Sequence, residues 1–113
     1  MIKQKLIDLL ETFHYPVSLQ GSYQEGETLP DSFFTFWNYE TNLRYKSNKV
    51  SEIEYVYRVF FYSKEPVLVN AIFKQVRELL INNNFHCTGD YDIDTDVESY
   101  TGREMEVRYL EIQ

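Results

Sequence analysis

The sequence predicts a single α+β domain over residues 1–113, with an antiparallel sheet of about four to five strands and two helices packed on one face. A length of 113 residues and a mass of 13.6 kDa fit one domain. Two segments repeat apolar residues at helical spacing, and others alternate apolar and polar residues as strands do. Aromatic residues make up 17% of the chain, with only four glycines and three prolines, so large rings can fill a core.

Both helices follow from the helical spacing of apolar residues. Residues 2–13 predict the first helix, which ends before Pro16 because the residue preceding a proline avoids the α region. The second helix begins at Pro66, since proline is tolerated in the first turn. It ends at the asparagines of residues 82–84, because asparagine readily adopts the left-handed conformation that follows a helix.

The strands follow from alternation and from strand-forming side chains. Residues 17–19 predict a short strand, and residues 32–39 predict an aromatic one. The intervening polar segment, residues 20–31, is typical of an exposed loop.

The strongest strand pattern covers residues 53–62, whose C-terminal half is apolar on both faces, as in a central strand. Residues 41–51 are polar and are expected to connect it to the preceding strand. Residues 85–87 lead towards another strand, and the alternation from Arg103 onward predicts the last one.

Charge is concentrated near the C-terminus. The formal net charge is −7, and residues 90–113 hold eight acids against two arginines, a local −6. This balance argues against specific nucleic-acid binding, which depends on Lys and Arg, and against an anionic membrane surface. The most basic stretch, residues 44–49, is typical of a solvated hairpin loop.

An alternating acidic segment is the most distinctive motif. Its period of two predicts a strand or an extended arm with carboxylates on one side and Tyr91, Ile93 and Val97 on the other. A solvated edge, a functional acidic rim and a metal site are the three interpretations. A calcium loop needs Gly at its sixth position and Glu at its twelfth, and no register supplies both. We assign the carboxylates to a candidate interface: Asp90, Asp92, Asp94, Asp96 and Glu98.

The aromatic segment 32–39 predicts a core strand, with a partner surface as the alternative. Phe33 and Trp37 fall on one face, and Phe34 and Phe36 fall on the other. Because both faces carry rings, one set packs on helices while the other is available to a partner. Phe34 and Phe36 complete the candidate interface.

No catalytic set is evident. Two histidines and one cysteine give no metal-ligand spacing, and the nucleophile-elbow and phosphate-loop motifs are missing. His86 and Cys87 are adjacent, so on a strand they point to opposite faces, and Cys87 is expected to be a buried structural residue. The pairs Glu52 with Glu54 and Glu104 with Glu106 are common on strand faces. We expect no enzyme activity, no cofactor and no bound metal.

The chain resembles the small tail-completion proteins of long-tailed phages and prophages, the tail terminator or tail-to-head joining group. The resemblance covers most of the chain and rests on element order and on four stretches. The first three are His14-Tyr15-Pro16-Val17, Leu29-Pro30-Asp31-Ser32-Phe33-Phe34-Thr35-Phe36 and Glu54-Tyr55-Val56-Tyr57-Arg58-Val59-Phe60-Phe61-Tyr62. The fourth is the closing region, Asp90-Tyr91-Asp92 followed by Tyr100-Thr101-Gly102-Arg103-Glu104-Met105-Glu106-Val107.

The resemblance implies a non-catalytic ring, typically of six copies, that joins the tail tube to the head connector. The partners would be the chain itself, tail-tube proteins and head-connector proteins, in a virion tail assembled in the bacterial cytoplasm. The single cysteine is compatible with a reducing compartment. The acidic segment would then line the lumen, where it repels DNA, or face a basic partner.

Two other classes of function stay open. One is a monomeric acidic binding module, an inhibitor or a nucleic-acid mimic that occupies a basic cleft. The other is a small enzyme in which the aspartates hold Mg²⁺.

Overall fold

The computed structural model describes residues 2–23, 28–95 and 99–113. Within these ranges the element order is helix, three strands, helix and two strands. The helices are α1 (Ile2–Glu11) and α2 (Pro66–Ile81). The strands are β1 (Val17–Leu19), β2 (Ser32–Lys46), β3 (Lys49–Ser63), β4 (His86–Ile93) and β5 (Thr101–Ile112).

The five strands form one sheet in the order β1-β2-β3-β5-β4, so the α+β class and the central position of the third strand are confirmed. The sheet is mixed, and the expectation of a wholly antiparallel sheet is wrong for one pair. β1 runs parallel to β2, with Val17 opposite Phe34 and Leu19 opposite Phe36. The long connection after β1 allows this, because it carries the chain back to the start of β2 before the strand begins.

β2 and β3 form a long hairpin whose far end we call the arm, residues 37–51. Each strand has 15 residues, and the turn between them, Ser47 and Asn48, has φ of 53° and 64°. Two positive φ values in a two-residue loop are the signature of a type I′ turn. The prediction of a polar connection over residues 41–51 is therefore wrong. These residues are in strands, and their polarity reflects an arm exposed to solvent.

Alternate residues of β2, β3 and β5 form one face of the sheet, which we call the covered face. Leu6 and Leu10 of α1 lie in the same hydrophobic cluster as these residues, and so do five residues of α2, among them Val76 and Leu80. The strand residues of the cluster are Phe34, Phe36, Tyr57, Val59, Phe61, Met105 and Val107. The residues between them form the opposite, open face, on which the register aligns Trp37, Arg58 and Glu106.

The core therefore includes Phe34 and Phe36, which the sequence had assigned to an interface. Phe34 is fully buried and Phe36 is 2% exposed, and the Phe34 and Phe61 ring centroids lie 4.6 Å apart. The interpretation of the segment as a core strand is confirmed, and the assignment of these two rings to a surface is wrong. Alternation alone could not decide which of the two aromatic faces meets the helices.

The helix boundaries agree closely with the sequence pattern. α1 ends at Glu11 instead of residue 13, and the next three residues continue as a hydrogen-bonded turn. α2 begins at Pro66 as expected. Of the asparagines that follow it, Asn84 adopts the left-handed conformation, with φ of 71°.

Replacing Phe34 with alanine is expected to lower the free energy of unfolding by about 3–5 kcal/mol, because it removes a fully buried ring and leaves a cavity. Trp37, three residues along the same strand and 40% exposed, is the matched control. Trp37→Ala is expected to cost about 1 kcal/mol. Urea unfolding followed by circular dichroism measures both, and equal losses would contradict the assignment of Phe34 to the core.

Candidate functional site

A network of charged side chains runs across the middle of the open face, with Arg58 of β3 at its centre. The guanidinium of Arg58 donates a 2.5 Å hydrogen bond to Glu104, lies 3.9 Å from Glu106, and donates to the Tyr91 hydroxyl at 3.1 Å. It also lies 4.3 Å from the ring centroid of Tyr39. The hydrogen bond to Glu104 is the largest of the effects that raise the pKa of Arg58 above its ordinary value. Arg58 is thus a fixed cation, held by two strands and an aromatic ring.

Arg108 extends this network along β5. It lies 3.2 Å from Glu54 and 3.2 Å from Glu106, while Asn42 donates to Glu54 at 3.0 Å. Arg44 of the arm lies 3.3 Å from Glu52. The two glutamate pairs that share strand faces are therefore held in ion pairs by arginines.

A second network holds the beginning of the acidic segment. Asp90 accepts hydrogen bonds from Arg77 of α2 and, at 2.5 Å, from Arg103 of β5. Arg103 also donates to Asp92 at 2.6 Å. Burial lowers the pKa of Arg103, but the hydrogen bonds and charges of Asp90 and Asp92 outweigh it, and the net shift is upward. Two of the predicted interface carboxylates are thus neutralised within the chain.

The predicted alternation of this segment holds for residues 90–93 and fails at Asp94, which follows the end of β4. Asp90 and Asp92 contact arginines on the covered side, whereas Tyr91 contacts Arg58 of the open face. A bulge at residues 89–90 determines which of the residues that follow it face the covered side, and Gly89 adopts a φ of 62° there. Asp94 is exposed on the open side, and Asp96 and Glu98 lie outside the described residues.

The edge of the sheet at β2 is open along the arm. β1 pairs only with residues 34–36, and the last backbone hydrogen bond from that side is donated by Gln20 to the Phe36 carbonyl. Beyond it, no described strand pairs with the outer edge of residues 37–46, which we call the distal edge. Four large side chains of the distal edge are 40–63% exposed: Trp37, Tyr39, Leu43 and Tyr45. Sequence reasoning missed most of this surface, and the signal that points to it is the turn-forming pair Ser47-Asn48.

An aromatic cavity of about 430 Å³ lies at the other end of the open face. Phe33 stacks on Tyr62 at 5.2 Å between centroids and meets the edges of Tyr23 and Tyr100 at 5.1 and 6.0 Å. Glu104 and Asp94 also line it. The Tyr100 hydroxyl donates a 2.7 Å hydrogen bond to the Pro30 carbonyl, which fixes the wall of the cavity.

Cys87 and His86 point to opposite faces, as expected from their adjacency, because they pair with Val107 and Arg108 in the register with β5. Cys87 packs partly buried against the core. Burial raises the pKa of its thiol from 9.0 to about 11. Within the described ranges, no three His, Cys, Asp or Glu side chains come close enough together to hold a metal ion.

No family model and no curated protein matches the sequence. None of the helices that the structure describes is long and apolar enough to cross a membrane. Support for a function therefore comes from the geometry of the chain and from the resemblance stated above.

The Arg103–Asp90 pair is expected to couple more strongly than the Arg103–Asp92 pair. The side chain of Asp90 is 17% exposed, whereas that of Asp92 is 75% exposed and screened by water. A double-mutant cycle with Arg103→Gln and Asp90→Asn should give a coupling of about 1 kcal/mol. The matched cycle with Asp92→Asn should give less than about 0.5 kcal/mol. Equal couplings would mean that Asp90 is not the main partner of Arg103.

Cys87 is expected to react slowly with iodoacetamide. With a pKa of about 11 instead of 9.0, the thiolate fraction at pH 8 falls about 100-fold. Native protein should therefore be alkylated about 100-fold more slowly than the protein unfolded in urea, as measured by mass spectrometry. The raised pKa also makes the free energy of unfolding depend on pH. Below pH 9 this thiol has no effect on it, and towards pH 11 the thiol lowers it, because only the unfolded state ionises there. Equal alkylation rates would contradict the burial of the thiol.

Proposed function

We propose that this chain is a structural component of a phage or prophage tail, a terminator or completion protein. Copies of it would self-associate into a ring between the tail tube and the head connector. The observation that supports this most is the distal edge of β2, where ten residues lack an outer strand partner among the described residues. An exposed edge with large apolar side chains is a template for association with another chain.

The form of the sheet is compatible with the unlike contacts that a ring requires. Its two outer edges, the distal edge of β2 and the outer side of β4, lie on opposite sides of the sheet. They differ in length and in side chains, since β4 is bulged and its aspartates are paired with arginines. Contacts between unlike surfaces are heterologous, and such contacts close into rings when the rotation between copies permits.

The charge of the chain suits a channel for DNA. The formal net charge is −7, and several cationic side chains of the two networks are bound to carboxylates of the same chain. Phosphate affinity requires free Lys and Arg side chains on a shared surface. A ring made of such subunits would allow a genome to pass without adhering to the wall.

The alternative, a monomeric acidic module that imitates nucleic acid, requires a row of free carboxylates. The pairing of Asp90 with Arg77 and Arg103, and of Asp92 with Arg103, makes the described part of the acidic segment a poor source of them. No other described feature favours that module over a ring.

The ring is tested by replacing two exposed apolar residues of the distal edge with glutamate. Wild-type protein, measured by size exclusion with light scattering up to about one millimolar, should show a species near six times 13.6 kDa. Leu43→Glu combined with Tyr45→Glu is expected to shift this species to monomer, since the charges would have to be desolvated in a contact.

Val67→Glu is the matched control, because Val67 is an 83% exposed apolar residue on α2, away from the arm. It should leave the assembly intact, and circular dichroism should show all three proteins folded. A wild-type chain that stays monomeric at every concentration would contradict self-association. A ring that tolerates glutamate at both positions would exclude the distal edge as its interface.

A further inference from the structure

The aromatic cavity has the lining of a site for a cation on an apolar stem. Its walls combine rings with the exposed carboxylate of Asp94, while the second carboxylate, Glu104, is bonded to Arg58. No Lys, Arg or His is among its described lining residues. Cations bind over aromatic rings, and the methylenes of a long side chain pack against the same apolar walls. The rings and carboxylates that line it are Tyr23, Phe33, Phe60, Tyr62, Tyr100, Asp94 and Glu104.

The same type of contact already occurs within the chain. The Lys64 ammonium lies 5.7 Å from the ring centroid of Tyr100, which is itself a wall of the cavity. Lys5 lies 4.7 Å from the Tyr109 ring, and Arg58 lies 4.3 Å from the Tyr39 ring. A cationic side chain lies over a tyrosine ring in each of these three contacts.

The tip of the arm carries two exposed lysines that complement the cavity. Lys46 and Lys49 flank the Ser47–Asn48 turn and have no carboxylate partner among the described residues. In a chain of net charge −7, they form a small cationic end on an otherwise acidic protein. The tight turn fixes the backbone positions of both lysines at the end of the arm.

The arm cannot reach the cavity of its own chain. Phe33, which lines the cavity, and Lys46, at the tip, are 13 residues apart on one strand. At 3.3 Å per residue, they are separated by about 40 Å. The lysines can therefore enter the cavity only of another copy.

We propose that a tip lysine of one copy inserts into the aromatic cavity of the next copy, as the contact that sets the rotation between subunits. This inference rests on the proposed ring and adds its second interface. The tip and the cavity are unlike surfaces at opposite ends of β2, so the contact is heterologous and can be repeated around a ring.

A peptide tests the contact without requiring a ring. The probe is a head-to-tail cyclised peptide with the sequence of residues 43–52, titrated into ¹⁵N-labelled protein at a concentration where the protein is monomeric. Shifts are expected at the amides of Thr35, Tyr62 and Glu104, which line the cavity. A peptide with both lysines replaced by alanine should bind about tenfold more weakly. Asp94→Asn in the protein should weaken binding of the original peptide about two- to fivefold, because Asp94 is exposed and its attraction is screened.

Light scattering on the full chain then distinguishes failure of the contact between tip and cavity from failure of the proposed ring. Lys46→Ala combined with Lys49→Ala should reduce assembly, whereas Lys74→Ala, an exposed lysine on α2, should not. Peptide binding at the cavity by a chain that never assembles would support the contact and contradict the ring. A ring that survives loss of both tip lysines, together with no peptide shifts at the cavity, would overturn the contact and leave the ring standing. Shifts confined to other residues would also overturn it.

Discussion

The structure depends on the pairing of β3 along both of its sides. β3 is bonded to β2 over nearly its whole length and to β5 from Glu52 to Ser63. Its alternation therefore fixes which residues of both neighbours face the helices. The residues paired with Val59 and Phe61 on the two neighbouring strands lie on the covered face, and those paired with Arg58 face the open side. A shift of β3 by one residue would turn its core-facing side chains to the open side and place Arg58 in the core. The register of β3 is therefore strongly specified.

The paired arginines of the open face separate its two ends. Arg58 and Arg108 each bridge β3 to β5 through glutamates, so the middle of the face is polar and internally satisfied. An aromatic cavity lies at one end of this network and the distal edge lies at the other. Because an internally paired surface gains little from meeting a partner, we expect the proposed association to involve the two ends.

The sequence predicts the helices and β3 well because each has one buried face, and burial imposes a period that can be read from residue types. The arm escapes prediction for the opposite reason. Most of residues 41–51 are exposed, so no apolar alternation marks them as strand, and the turn at Ser47 is the local signal. The candidate interface fails where it depends on tertiary packing. Nothing within residues 32–39 tells which aromatic face meets α1 and α2, and a count of charges does not show that Arg103 pairs with Asp90.

The two outer edges of the sheet differ in how they are protected against pairing with a strand of another molecule. β4 carries a bulge at Gly89 and aspartates bound by arginines, which are features that discourage pairing with another strand. The distal edge carries exposed Trp37, Leu43 and Tyr45, and its protection is limited to two irregularities in register and the charges near its tip. An open edge strand with large exposed apolar side chains promotes aggregation unless a specific partner covers it. Because one edge is protected and the other is open, the association that we propose would be directional, from the arm of one copy towards a different surface of the next.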